Sequence, residues 1–246
     1  MLNKIITGKT PKPRRLLLYG THGVGKSTFC ANAPSPIFVQ TEDGLGEIEC
    51  DKFPLATSYE DVTVAMESLY KEQHSYQTVV IDSLDWLERI IWSKVCQKRS
   101  VRSVEDISYG KGYICALTYW EEILAGLDAL RNDRGLTIAL IAHAKIERYD
   151  APDTDSYDRH MPRLHKLASQ LVQEWCDEVL FATYKVYTKQ ADEDFGRKKA
   201  KGVGSGERVL YTSERPAHIA KNRLGLPYEM PLNWGDYASF FNKINK

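Results

Sequence analysis

Residues 20 to 27 read Gly20-Thr21-His22-Gly23-Val24-Gly25-Lys26-Ser27, a complete G-x-x-x-x-G-K-[ST] pattern. The pattern dictates a local structure. A buried strand must enter it and a helix must leave it, so that glycine-rich backbone N–H groups curl around a phosphate. Both flanks comply: Arg14-Arg15-Leu16-Leu17-Leu18-Tyr19 reads as a buried strand, and Ser27-Thr28-Phe29-Cys30-Ala31 opens a helix. Lys26 would reach the β/γ-oxygens of a nucleoside triphosphate, the Ser27 hydroxyl would ligate Mg²⁺, and the helix N-terminus adds partial positive charge. Nucleotide contacts are therefore expected from Gly20, Thr21, His22, Gly23, Val24, Gly25, Lys26, Ser27 and Thr28.

The 246 residues suffice for one large α/β domain with a substantial core. No apolar run approaches a membrane span, and Met1-Leu2-Asn3-Lys4-Ile5-Ile6-Thr7 lacks the apolar stretch of a signal peptide, so a cytoplasmic protein without a membrane partner is expected. The five cysteines are odd in number and form no C-x-x-C pair, which points to reduced thiols and away from zinc. The 33 basic residues balance 33 acidic ones. That counts against a dedicated basic nucleic-acid module; such a partner would be held by local patches.

Apolar strand-like runs alternate with helical stretches along the chain. Strands are expected at Pro36–Thr41, Thr78–Asp82, Leu136–His143 and Glu178–Tyr184, with helices over Leu84–Cys96, Tyr113–Asn132 and Arg163–Cys176 and a polar loop over Glu147–Pro162. Continuous apolar strands separated by helices predict an α/β fold with a mostly parallel central sheet covered on both faces. From Lys185 the pattern becomes a C-terminal β-hairpin, 185–221, with a mobile charged tip at 191–206 carrying Arg197, Lys198, Lys199 and Lys201. Residues 14–246 read as one domain. Residues 1–13 form a short arm, either docked on a neighbouring subunit or disordered.

Asp82 ends a buried strand downstream of the phosphate loop, the place of an acid that holds Mg²⁺ through water; the alternative is a cap on the following helix. Ser83 follows it where many P-loop ATPases have their water-activating glutamate, so a base must come from elsewhere. Glu42, followed by Asp43 and Gly44, leaves the second strand at the carboxyl edge of the sheet, where ligands bind. A carboxylate there can orient and deprotonate water; otherwise it is an acidic turn. His143 ends the fourth apolar strand and would face the same cleft, as a γ-phosphate sensor or as a structural histidine.

This order of motifs resembles the RecA-type P-loop ATPase core. Ala220-Lys221-Asn222-Arg223-Leu224-Gly225-Leu226-Pro227 is similar to the K-N-R-F-G segment of bacterial RadA, with Leu224 in place of the phenylalanine. The resemblance implies that Lys221 and Arg223 cross a subunit interface and act in trans on the neighbour's ATP. Within the superfamily the chain resembles the short phage-encoded annealing proteins of the Sak ATPase group, including Tyr109-Gly110-Lys111-Gly112-Tyr113 and Pro162-Arg163-Leu164-His165-Lys166. That likeness implies a ring or filament on single-stranded DNA, in a bacterial host's cytoplasm, with a partner single-strand-binding protein.

Two loops would carry the DNA. The first, about 98–113, offers Lys98, Arg99, Arg102, Tyr109, Lys111 and Tyr113; the second, about 145–165, leads into the next helix and offers, with that helix's start, Arg148, Arg159, Arg163 and Lys166. Cations interleaved with aromatics suit single strands, although Asp150, Asp153, Asp155 and Asp158 oppose phosphates in the second. Besides an ATP-dependent recombination protein promoting annealing or strand pairing, two readings stay open. One is a nucleotide kinase, suggested by Asp158-Arg159-His160 but lacking an arginine-bearing lid. The other is an ATP-gated assembly or loading factor acting through protein partners.

Overall fold

The structure, a computed structural model, describes residues 1–8, 10–152, 155–190 and 200–241. The first strand, β1 (Arg15–Gly20), is followed by α1 (Lys26–Ala31), β2 (Pro36–Gln40), the two-residue β3 (Asp51–Lys52), α2 (Tyr59–Lys71), β4 (Thr78–Asp82) and α3 (Leu84–Arg99). The chain continues through α4 (Lys111–Asp133), β5 (Thr137–Tyr149), β6 (Tyr157–Pro162), α5 (Lys166–Trp175), β7 (Glu178–Gln190), β8 (Ala200–Tyr211), β9 (Glu229–Pro231) and α6 (Trp234–Ala238).

The sheet runs β3-β2-β4-β5-β1-β7-β8-β9, parallel from β3 to β7 and antiparallel beyond. This mostly parallel sheet flanked by helices is the α/β core expected above, extended by the β7–β8 hairpin. The central strands β1, β2, β4 and β5 are largely apolar within the sheet, yet they still sort by face. Leu17, Tyr19, Val79, Ile81, Ile138 and Leu140 pack under α2, α3, α4 and α5, whereas Leu16, Leu18, Val80, Ala139 and Ile141 pack under α1 and α6. Each buried Leu or Ile contributes about 1.5–3 kcal/mol. Local signals fix the helices: Ser58 and Asp61 form a reciprocal capping box at the start of α2, and Val62, Ala65, Met66 and Leu69 bury its inner stripe.

Three expectations change. The segment Glu147–Pro162 is not a loop: β5 runs on to Tyr149 and pairs antiparallel with β6, Ala144 opposite Pro162 and Tyr149 opposite Tyr157. His143 therefore sits within β5, at the point where the strand outruns its parallel neighbours. In the C-terminal hairpin, pairing begins at Phe181 with Tyr211 and reaches Gln190 with Ala200. Residues 200–206 of the expected tip thus belong to β8, and 191–199, with Arg197, Lys198 and Lys199, lie outside the described residues, as does Asp153. The N-terminal arm leaves Leu2, Ile5 and Ile6 exposed and is tied at its base, where Arg131 Nε donates to the Pro13 carbonyl at 2.6 Å. Among the described residues no helix is long and apolar enough to cross a membrane.

Candidate active site

Because β1, β2, β4 and β5 are parallel, their carboxyl ends share one edge of the sheet, and Gly20, Gln40, Asp82 and His143 come out there together. Gly20 is obligatory at this point: a Cβ would run into the Ala182 carbonyl of β7. The loop then turns through Gly23 and Gly25, with φ of 68° and 102°. Such values admit glycine at no steric cost. Lys26 folds back over the loop, its Nζ donating to the carbonyls of Gly20 at 3.2 Å and Thr21 at 2.9 Å. Burial pushes its pKa down, against the opposing pull of Asp82, Asp85 and Glu42. Thr21 Oγ1 is buried on the same loop without a partner among the described residues.

Ser27 Oγ donates to the Asp82 carboxylate at 2.6 Å. Burial pushes the Asp82 carboxyl up, and the Ser27 hydroxyl opposes that rise. A hydroxyl and a carboxylate are the hard oxygen donors that Mg²⁺ takes beside a nucleotide's phosphates. Together with the cradle at Gly23 and Gly25 and the orphaned Thr21 hydroxyl, they fit a magnesium nucleotide.

The turn after β2 is stitched to the turn after β4. Thr41 N donates to the Asp82 carbonyl at 2.8 Å and Thr41 Oγ1 to the Ser83 carbonyl at 2.6 Å. This sets Glu42 over the cleft, where its carboxylate accepts from Ser83 Oγ at 2.9 Å and lies 3.8 Å from His143 Nδ1. The cleft, about 360 Å³ in volume, is lined by His22, Lys26, Ser27, Glu42, Asp82 and His143 among others. The structure thus brings the sequence-expected phosphate loop, Asp82, Glu42 and His143 to one place.

Asp85 joins them, and so does His22 of the phosphate loop. The His143 backbone N–H and ring Nδ1 both lie 3.1 Å from Asp85 oxygens, and Arg163 NH2 donates to Asp85 Oδ2 at 2.5 Å. Burial alone would raise the Asp85 carboxyl, but the bonds from His143 and Arg163 hold it well below the usual carboxylate range. An imidazole held by a carboxylate at Nδ1 presents Nε2 as its free nitrogen. His22 stacks on the His143 ring at 4.2 Å, and its pKa is lowered by His143 first and burial second. The only sequence signal for Asp85 was its place three residues after Asp82, on the first turn of α3.

The expected DNA contacts divide. Lys98, Arg99, Arg102, Lys111, Arg148 and Lys166 are exposed, and Tyr109 is almost wholly so at 95%. Arg99 leans on Cys115 Sγ at 3.4 Å and Arg148 on Asp150 at 3.3 Å. Three others are turned into the fold. Arg163 faces Asp85 because its own backbone N–H returns to the His143 carbonyl at 2.7 Å, which brings its side chain to the cleft. Arg159 lies over the Tyr149 ring at 3.8 Å and pairs with Glu214 at 3.6 Å. Tyr113 stacks flat on His165 at 4.0 Å, joining the two expected DNA segments.

Lys221 and Arg223 lie at the opposite end of the sheet from the phosphate loop, since Lys221 pairs with Val179 near the start of β7. Contact with a phosphate loop would thus be with another copy's. Lys221 Nζ donates to the carbonyls of Gln173, Glu174 and Cys176 at 2.7–3.0 Å, satisfying the end of α5. Reaching a neighbour would break those three bonds. Among the described residues Arg223 makes one ion pair, with Asp177 at 3.2 Å, and its side chain is 54% exposed.

The AAA domain family matches this chain over residues 12–224. The SPbeta prophage-derived uncharacterized protein YorG of Bacillus subtilis (strain 168) is 26% identical over 147 residues, 56% of this chain and 43% of that protein, so the chain spans less than half of that relative. Among solved structures, the RadB recombinase superposes with a TM-score of 0.43 at 14% identity, covering 81% of this chain and 80% of that one. Every residue lining the cleft falls between the limits of the family match, and the chain belongs to the AAA domain family, a P-loop family.

Proposed function

We propose that this protein is an ATP-hydrolysing, RecA-like recombination protein that assembles on single-stranded DNA and promotes annealing or strand pairing. One observation carries the reading. Arg163 closes the β5–β6 hairpin at its base and also pairs with Asp85, the carboxylate that holds His143 in the cleft, so the expected DNA-binding ribbon and the nucleotide site share side chains.

In the reaction, Lys26 and the loop amides hold the β- and γ-phosphates of ATP, and Ser27 and Asp82 hold Mg²⁺, which supplies charge neutralisation to the phosphoryl oxygens. Glu42 takes the proton of the attacking water. Ser83 orients that carboxylate through the 2.9 Å bond it donates. His143, kept in one orientation by Asp85, offers Nε2 to the γ-phosphate. Arg223 of a second copy completes the site and stabilises charge developing on the transferred group. The exposed Lys98, Arg102, Lys111, Arg148 and Lys166 follow the DNA backbone, while Tyr109 stacks on a base.

The test is ATPase rate against protein concentration, with and without a single-stranded oligonucleotide. The reading expects stimulation by the oligonucleotide and a rate rising faster than first order in protein. A rate linear in protein and indifferent to DNA would remove both the DNA role and the shared site. ATP-dependent assembly that ignores DNA would favour the loading-factor reading instead.

A further inference from the structure

The β7–β8 hairpin folds back against the phosphate loop and carries two side chains there that no sequence pattern marks. Tyr184 and Arg208 are cross-strand partners, so both stand on the same face of the hairpin. Tyr184 Oη donates to the Gly23 carbonyl at 3.1 Å. Arg208 lies over Gly25: a Cβ added to that glycine would fall 2.9 Å from Arg208 NH1. The missing side chain therefore serves the approach of a guanidinium as well as the 102° φ of the turn. Among the described residues Arg208 makes no hydrogen bond or ion pair. It is exposed, close to the loop and unspent.

The cleft is short of such charge. Lys26 is its one permanent cation among the lining residues, which also include the carboxylates of Glu42 and Asp82, and nearby Arg163 is committed to Asp85. A nucleoside diphosphate or triphosphate brings further negative charge to this place.

We propose that Arg208 is a second phosphate-binding cation, held over the phosphate loop by the β7–β8 hairpin for the polyphosphate of a bound nucleotide. Tyr184 fixes the hairpin to the loop so that the guanidinium arrives in one orientation. A planar guanidinium binds two phosphate oxygens through a fixed fork of parallel N–H bonds, a geometry an ammonium does not impose. The proposal rests on the nucleotide reading above.

The test is a titration of the full-length chain with MgADP, which separates binding from hydrolysis. Arg208→Ala should weaken MgADP by about tenfold or more, and Arg208→Lys by about two- to threefold. Arg208→Ala should also flatten the dependence of Kd on salt, because one phosphate-bound cation is gone. Melting temperatures without nucleotide should match the wild type, since the side chain is exposed. Lys26→Ala is the reference that abolishes binding. An Arg208→Ala affinity within about twofold of wild type, while Lys26→Ala fails to bind, overturns the proposal and leaves the nucleotide reading intact. A lowered melting temperature with an unchanged salt slope makes Arg208 a packing residue and also overturns it. Wild-type protein that does not bind MgADP removes both.

Discussion

Asp85→Asn isolates the group that joins the cleft to the hairpin. The Asp85 carboxylate is 5% exposed and accepts from the His143 backbone N–H, the His143 ring and the Arg163 guanidinium. Asparagine keeps one acceptor oxygen, loses the charge, and turns an N–H₂ towards either a guanidinium or a ring N–H. A hydrogen bond to a charged group is worth about 1.5–3 kcal/mol, and breaking a buried ion pair costs about 3–5 kcal/mol. Arg163 keeps 37% of its side chain in water, which hydrates part of the orphaned charge. The lower end applies, about 2 kcal/mol, or a fall of about 4–8 °C in melting temperature for a chain of this length.

The sign with pH is fixed. The Asp85 carboxyl titrates below its ordinary value of 3.8 in the folded chain, so its contribution is present above that value and lost as pH falls through the folded one. The melting gap between wild type and variant should stay constant from about pH 6 to 8 and close below about pH 4. Turnover should fall by about tenfold or more, because the ring of His143 is no longer held. Thermal melts by circular dichroism across pH test the network directly. A neutral-pH gap under about 1 °C, or one that widens in acid, would refute it.

Glu42→Gln should bind MgATP normally and hydrolyse it at least about 100-fold more slowly, measured by single-turnover kinetics; near-normal turnover would move the general base to another acid. Glu88, buried on α3 beneath the His165 amide, has its carboxyl pushed up by burial to about 7. The folded state therefore keeps a proton that the unfolded chain loses, and wild-type stability should decline as pH rises through about 7. Glu88→Gln should match wild type near pH 5 and exceed it by about 2 kcal/mol near pH 8 in denaturant titrations; equal gaps at both would disprove this. Arg223→Ala should abolish turnover at every protein concentration while ATP binding to the monomer is unchanged. Lys221→Ala should additionally lower the melting temperature, because three carbonyls at and just beyond the end of α5 lose their donor.

The parts of the site legible in the sequence are those set by local pattern. Gly20 to Ser27 specify a strand, a turn and a helix by themselves, and Asp82 and Glu42 follow from parallel strands emptying onto one edge. The β5–β6 ribbon was hidden because it is built mostly from charged and polar residues. Ile146 is exposed at 66%, and no apolar side alternates along the segment to announce a strand. Arg163 was misplaced for a related reason: sequence shows a cation beside a loop, whereas its direction comes from a backbone bond to His143, twenty residues earlier. The two-residue β3 and the approach of Arg208 to Gly25 depend entirely on long-range pairing, which leaves no local mark.

The same ribbon is also tied to the far end of the sheet. The His160 N–H of β6 donates to the Ala217 carbonyl at 2.8 Å, and the Ile219 N–H returns to the His160 carbonyl at 3.3 Å. Two residues on, Lys221 exchanges both backbone bonds with Val179 at 2.9 Å, and Arg223 follows. Tyr19 of β1 clamps this strap from beneath, donating to the Ile219 carbonyl at 2.7 Å. One end of β6 thus leads through Arg163 to the chain's own nucleotide cleft, and its middle leads through the strap to Arg223 at the opposite edge. A displacement of β6 by bound DNA must either carry the strap with it or break backbone bonds that no water replaces at buried Ile219. Carrying it is the less costly course, and it would move the proposed cis and trans halves of the site together.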